Sequence, residues 1–362
     1  MVFARHAKRT NKVNQAQRIP LYLLTGFLGS GKTTILNQWV QDPAFSKALV
    51  IINEFGETSL DHLLVSRSTE EQIVELSNGC ICCTIRGDLA KTLTDISWRF
   101  SRNGIKSFDK VIIETTGLAD PSPILNTLIS NEKLFQQYRL QGTVTTVDVA
   151  NALHSIEKYS EAKRQVAVAD LILLTKQDLV SAEVLQQVQQ RVRQLNPTAP
   201  LQQALNGVTA LRSLLKLDHI EPVHSSTPLA NWLNFSAVQF EPLKPEQTPT
   251  LLRSAEQELS PHQGNIRAFC YQLDKPVSLR AIEMWLDALL PQMGHKLLRL
   301  KAILNVEGFP GPMVIHGVQQ LLHPTAVLTD WPNDERKSKL VFITDELTAQ
   351  QLEVSLQPLF RL

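Results

Sequence analysis

Cysteine is scarce in this 362-residue chain: there are four in all, and three of them fall within residues 80–83. Thiols placed in this way cannot form the spread-out disulfide framework of a small secreted domain. A tight cluster in a cysteine-poor chain fits a reducing compartment, so a cytoplasmic location with metal or thiol chemistry is expected. No apolar run approaches the roughly 20 residues needed to cross a bilayer, which argues against a membrane-spanning role. Neither charge sign dominates: 36 Lys and Arg face 35 Asp and Glu, for a net charge of +1. That balance predicts neither nucleic acid nor an anionic membrane as partner. The N-terminal stretch carries Arg5, Lys8, Arg9, Lys12 and Arg18 but lacks an apolar core. It reads as a flexible tail over residues 1–18 rather than a secretory signal.

Apolar residues make up 43% of the chain and charged residues 20%, a composition that builds packed cores. The length suggests at least two domains, since single cores stop growing at roughly 250–300 residues. From residue 19 onward, short apolar runs alternate with helix-spaced segments. The runs are IPLYLLTG, ALVIINEFG, EQIVELSNG, FDKVIIETTG, GTVTTVDV and ADLILLTKQD. Alternation of this kind predicts an α/β domain over 19–218, its mostly parallel sheet covered on both faces. The helix RGDLAKTLTDISWRFSR should bury Leu89, Leu93, Ile96 and Phe100, and Ser181 should cap the helix that precedes Pro197. Regularity fails over 219–262, which is rich in Pro, Ser and Thr and reads as a linker with at most one edge strand. Residues 263–362 then run β-α-β-β-β-α, with KLLRLKAILNVEG, GPMVIHGVQQLLH and SKLVFIT as the three successive strands, predicting a smaller α+β domain with helices on one face of an antiparallel sheet.

GFLGSGKTT fits G-x-x-x-x-G-K-[ST], with Gly26, Gly31, Lys32 and Thr33, and stands between a predicted strand and a predicted helix. That context gives the motif its specificity. Glycines let backbone N–H groups wrap phosphates, and the helix start adds positive potential. Lys32 would reach the β- and γ-phosphates, and the Thr33 hydroxyl would ligate Mg²⁺. KVIIETTGLADP sets Glu114 at the end of an apolar strand with Gly117 three residues on. A carboxylate there lies at the ligand-binding edge of a parallel sheet, although it could also simply cap the strand. LLTKQDL ends another strand with Thr175, Lys176 and Asp178. It is similar to the guanine-reading N-K-x-D motif with Thr in place of Asn. A buried Asp178 would accept hydrogen bonds from guanine and find no donor at adenine N1, though a strand-to-helix turn explains the same residues.

NGCICC leaves three readings open: metal site, redox site or structural cluster. In an extended stretch Cys80 and Cys82 share a side, and Cys83 stands near the next helix start, where thiol pKa falls. Three thiolates do not close a tetrahedral zinc site, and an incomplete set suits metal that arrives and leaves. Candidates for the fourth ligand are Glu54, Glu57 and His62 in NEFGETSLDH, where a nucleotide-switch segment would lie.

Taken together, LLTGFLGSGKTT, INEFGE, NGCICC, ETTGLADPSPI, ADLILLTKQDL and the C-terminal LLRLKAIL…VIHGVQQLLHP…WPNDERKSKLVFIT resemble the CobW-type family of metal-linked P-loop GTPases. The resemblance covers nearly the whole chain from about Pro20. It implies GTP hydrolysis with Mg²⁺, a transition metal at the C-x-C-C motif, and delivery of that metal to client metalloproteins. Zinc is the commonest assignment and cobalt, in cobalamin-type metabolism, an alternative. Carried over by position, it implies nucleotide binding at Gly26, Gly29, Ser30, Gly31, Lys32, Thr33 and Thr34. It implies a switch at Glu114 and Gly117, base reading at Lys176 and Asp178, and metal binding at Cys80, Cys82 and Cys83. The chain departs from the pattern in lacking a histidine-rich stretch before the second domain: only His219, His224 and His262 are scattered there. Ile52 also stands where some relatives carry an acidic residue. A sensing module that binds zinc and nucleotide without transferring metal is the rival reading. An ATP-dependent small-molecule kinase would leave TKQD and the cysteines unexplained.

Overall fold

The computed structural model describes residues 18–52, 73–75, 89–96, 101–102, 105–204, 238–243, 266–322, 325–331 and 335–360. The described residues fall into two compact units, one ending at residue 204 and the other starting at residue 238. Most of the expected tail and linker lie outside them.

The first unit is built on strands β1 (Ile19–Gly26), β2 (Ala48–Ile52), β3 (Ile73–Glu75), β4 (Ser101–Arg102), β5 (Ile105–Lys106), β6 (Lys110–Glu114), β7 (Tyr138–Asp148), β8 (Leu171–Thr175) and β9 (Leu201–Gln203). Seven of them form one sheet in the order β3-β2-β6-β1-β7-β8-β9, and every pairing is parallel. The alternating β/α pattern therefore does produce the doubly covered parallel sheet. Its inner strands are apolar along nearly their whole length because both faces are packed. The helices are α1 (Lys32–Gln41), α2 (89–96), α3 (Ser122–Ser130), α4 (Glu132–Gln137), α5 (Ala152–Lys158), α6 (Ser160–Ala167) and α7 (Ala182–Leu195). Helix α1 lays Ile35, Leu36 and Trp39 onto a layer that includes Leu24, Val50 and Ile112. Ser181 caps α7 through the Val184 N–H, as its position before the helix predicts.

The register of β1 decides where chemistry can happen. Leu24 pairs with Glu114 on one side, and Gly26 pairs with Thr146 on the other. One strand further, Asp148 pairs with Thr175. Four strand ends thus bring the Gly26 turn, Glu114, Asp148 and Thr175 to one edge.

The second unit has β10 (Glu241–Pro242), β11 (Ile266–Leu273), β12 (Leu297–Leu304), β13 (Met313–Val318), β14 (Leu321–Leu322), β15 (Ala326–Val327) and β16 (Ser338–Asp345), with helices α8 (Leu279–Met293) and α9 (Ala349–Leu356). The path is β10-β11-β16-β12-β13-β14, with β15 beside β13. Both helices contribute to a single apolar cluster with the sheet. Trp285, Leu286 and Leu289 of α8 and Leu352 and Leu356 of α9 pack there with Leu300, Ile315 and Phe342. Cys270 on β11 is only half-buried; burial, reinforced by Glu241, pushes its thiol up to about 12, which makes it unreactive.

Two local expectations fail. Ser101 and Arg102 do not continue the helix over 86–102; they pair antiparallel with β5 across Asn103-Gly104, a strong two-residue hairpin signal. The run GPMVIHGVQQLLH is not one strand. It breaks at Gln319, which has φ 53°, so Val318 folds back to pair with Leu321. Within residues 263–362 the named strands pair antiparallel as expected, and β10 is the edge strand of the linker stretch, running parallel to β11. Among the described residues no helix is long and apolar enough to cross a membrane.

Asn196, wholly buried, ties three elements of the first unit together. Its Nδ2 donates to the carbonyls of Val166, Ala167 and Ala169, and its Oδ1 accepts from Thr198 N, Thr198 Oγ1 and Ala199 N. Asn196→Ala strands these buried groups and should lower stability by about 3 kcal/mol in urea denaturation. A loss below about 1 kcal/mol would show that the network carries no such weight.

Candidate functional site

At the end of β1 the chain turns through glycines whose backbone no other residue adopts comfortably. Gly29 and Gly31 have φ of 68° and 88°, and Gly26 has φ of 147°. A Cβ on Gly26 would collide with Thr146 and press on Ser30 Oγ at 2.7 Å, whereas Gly29 has open space around it. The first glycine therefore serves close approach and the second serves conformation. Gly31 precedes α1 without a side-chain cap, so the first N–H groups of the helix remain directed at the loop, as an anion site requires.

The loop is bound to the strands beside it. Ser30, buried, shares a 2.6 Å hydrogen bond with Thr146 Oγ1. Thr175 Oγ1 donates to the Ser30 carbonyl at 2.9 Å, with the Val147 carbonyl at 3.2 Å. Thr115 donates its backbone N–H to the Leu24 carbonyl and its hydroxyl to Thr25 Oγ1 at 2.8 Å. The Phe27 ring lies 4.7 Å from that of Tyr159. Lys32 is 8% exposed, and its Nζ donates to the carbonyls of Gly26 and Phe27 at 2.9 and 3.2 Å. The ammonium is therefore held inside the loop, at the point where phosphate oxygens would replace those carbonyls.

Thr33 Oγ1 donates to Glu114 Oε1 at 3.0 Å, across 81 residues of sequence. Glu114 is 4% exposed, so this is a carboxylate in an enclosed setting against a hydroxyl. Hard oxygen donors of this type suit Mg²⁺. Gly117 lies against the same loop: a Cβ there would sit 2.7 Å from Leu28 N and Cα. Thr34 is exposed on the first turn of α1.

At the next strand end, Lys176 adopts φ 55° and pairs with Asp148 at 2.9 Å. Asp148 also accepts from Ala150 N and Asn151 Nδ2. Asp178 stands on the short 3₁₀ turn Gln177–Leu179 and is exposed, not buried as the base-reading argument assumes. Its carboxylate is accessible to a ligand arriving from solvent. Sequence reasoning overlooked Asp148, although it ends an apolar run as Glu114 does. It overlooked the bracing hydroxyls of Thr146 and Thr175 as well.

Cys80, Cys82 and Cys83 lie outside the described residues, as do Glu54, Glu57 and His62. Among the described residues no group of three or more His, Cys, Asp or Glu side chains is placed to hold a metal ion.

Comparison with known proteins matches both units. The family model described as "CobW/HypB/UreG, nucleotide-binding domain" matches residues 20–203, and that described as "Cobalamin synthesis protein cobW C-terminal domain" matches residues 266–359. Zinc chaperone YjiA of Escherichia coli is 33% identical over 341 residues, covering 93% of this chain and 97% of that protein. Zinc chaperone CobW of a Sinorhizobium species is 33% identical over 236 residues, covering 58% of this chain and 65% of that one. The crystal structure of Zn(II)-bound YjiA GTPase from Escherichia coli superposes with a TM-score of 0.64 at 29% identity, over 94% of this chain and 99% of that one.

The two glycine environments predict unequal effects. Gly29→Ala adds only left-handed strain, about 1–2 kcal/mol, and should weaken binding of a fluorescent guanine nucleotide by roughly tenfold. Gly26→Ala adds a collision with the β7 backbone and should weaken it far more. Equal losses in a nucleotide titration would contradict this division of roles.

Proposed function

The chain belongs to the CobW family, and on that premise we propose that it is a GTPase whose nucleotide state governs the binding and release of zinc carried to client metalloproteins. YjiA is named both a GTPase and a zinc chaperone, and CobW a zinc chaperone. The finer reading is our own: zinc is taken by Cys80, Cys82 and Cys83 and passed on in a nucleotide-dependent way. Cobalt is the alternative cargo, and the cytoplasm is the expected compartment.

One observation carries the enzymatic part: the Thr33 hydroxyl and the Glu114 carboxylate meet at 3.0 Å, one residue along from Lys32, whose ammonium is enclosed by the Gly26 and Phe27 carbonyls. Thr33 and Glu114 are the residues that would hold Mg²⁺, which when bound supplies charge that offsets the charge on the β- and γ-phosphates. Lys32 neutralises phosphate oxygens from within the loop, and the N–H groups around Gly29–Gly31 and the start of α1 bind the rest. Glu114, fixed by β6, is also placed to orient the attacking water. Asp178 reads guanine from its exposed turn, while Asp148 holds Lys176 so that its stem can cover the base. Gly117, packed on Leu28, is the point where a third phosphate would be sensed. The cysteine motif lies between β3 and α2 in sequence. Nucleotide state would open or close a metal site there by ordering or releasing a switch segment.

Lys32→Ala should abolish GTP turnover in a phosphate-release assay; turnover at the wild-type rate would sink the phosphate-loop assignment. Cys82→Ala combined with Cys83→Ala should remove tight zinc binding yet leave GTP binding measurable. Undiminished zinc affinity in a chelator competition would show that the metal is held elsewhere.

A further inference from the structure

The loop after Glu114 is held from behind as well as from the phosphate side. Gln165 on α6 is 1% exposed. Its Nε2 donates to the carbonyls of Gly117 at 3.1 Å and Ala119 at 3.0 Å. The amide orientation is forced, because exchanging O and N would set an oxygen against two carbonyl oxygens. The main chain of Gln165 is fixed too, its carbonyl accepting from Thr145 Oγ1 of β7 at 2.7 Å. The adjacent Arg164 pairs with Asp120 at 2.7 Å, a half-exposed tether to the same loop. Opposite Gln165, Gly117 abuts Leu28 of the phosphate loop. The segment 117–120 is thus clamped between α6 and the phosphate loop.

We propose that Gln165 is a positioning residue for the third phosphate: its amide holds the Gly117–Ala119 carbonyls toward α6, which keeps the Gly117 segment against the phosphate loop, where a γ-phosphate meets it and a nucleoside diphosphate does not. This rests on the GTPase reading above and adds to it the element that separates triphosphate from diphosphate. A space-filling role explains the position less well. Among the described residues Gln165 Oε1 is buried with no hydrogen-bond partner, while Nε2 donates to two carbonyls. An apolar side chain of equal length would fill the slot without an unmatched acceptor, so the donor half is what the position uses. Gln165 also lines a cavity of about 30 Å³ with Phe27, Leu28, Ser30 and Thr146, so it borders the phosphate loop directly.

The test compares Gln165→Met, which keeps length and loses the donors, with the wild-type full chain. Affinities for Mg²⁺–GDP and a non-hydrolysable Mg²⁺–GTP analogue are measured by fluorescence, together with kcat for GTP. The expected result is GDP affinity within twofold of wild type, an analogue-to-GDP affinity ratio reduced tenfold or more, and a parallel fall in kcat. Gln165→Asn, which withdraws the amide by one methylene, gives the same reading if the Met variant misfolds. An unmoved ratio and kcat, or equal losses of GDP and analogue, would overturn the proposal. A wild-type protein that turns over no GTP would overturn the parent reading and this one with it. Normal wild-type turnover with an unmoved ratio would overturn this one alone.

Discussion

A parallel sheet delivers the C-terminal ends of all its strands to one edge, and the site depends on that constraint. With β1 between β6 and β7, the register that pairs Leu24 with Glu114 and Gly26 with Thr146 leaves one arrangement for the chain that follows β1. It must turn tightly over the strand ends, and only glycine at position 26 leaves room for Thr146. The turn then feeds α1, whose uncapped start leaves N–H groups of the kind that bind anions. The acidic partner, the ammonium and the helix N–H groups are brought together by topology, not by proximity in sequence.

Around the Gly26–Lys32 loop the bracing is made of small hydroxyls and carbonyls, with the Lys176–Asp148 pair at the next strand end. Thr25, Thr115, Thr146, Thr175 and Ser30 form short bonds that need no charge and leave Lys32 and Glu114 as the ionic groups at the centre. Such neutral bonds contribute about 1 kcal/mol each, enough together to hold a loop open against its own charge. Behind the edge, Asn196 fixes the end of α6 and α6 presents Gln165 to the loop after Glu114. One helix thus carries both a stabilising network and the proposed positioning residue.

Much of this was legible from the chain alone, for identifiable reasons. The phosphate loop announces itself because its glycines answer to local geometry, and Glu114 because an apolar run that ends in a carboxylate is unusual. Asp148 carries the same mark in GTVTTVDV but belongs to no short motif. Gln165 could not be read from sequence: it lies in the last turn of α6, and its partners are 46 and 48 residues away. The hairpin over Ser101–Lys106 and the break at Gln319 are missed where periodicity spans a turn without noticing it. Asp178 was read as buried because the argument for guanine needs a desolvated carboxylate; the turn that carries it faces solvent.

The central claim is that nucleotide state and metal affinity are one equilibrium, and zinc affinity tests it most directly. Competition with a chelating dye, run without nucleotide, with Mg²⁺–GDP and with a Mg²⁺–GTP analogue, should show affinity at least tenfold tighter with the analogue, about 1.4 kcal/mol of coupling. Zinc affinity that ignores the nucleotide would contradict the account and leave the cysteines as a site independent of the GTPase cycle.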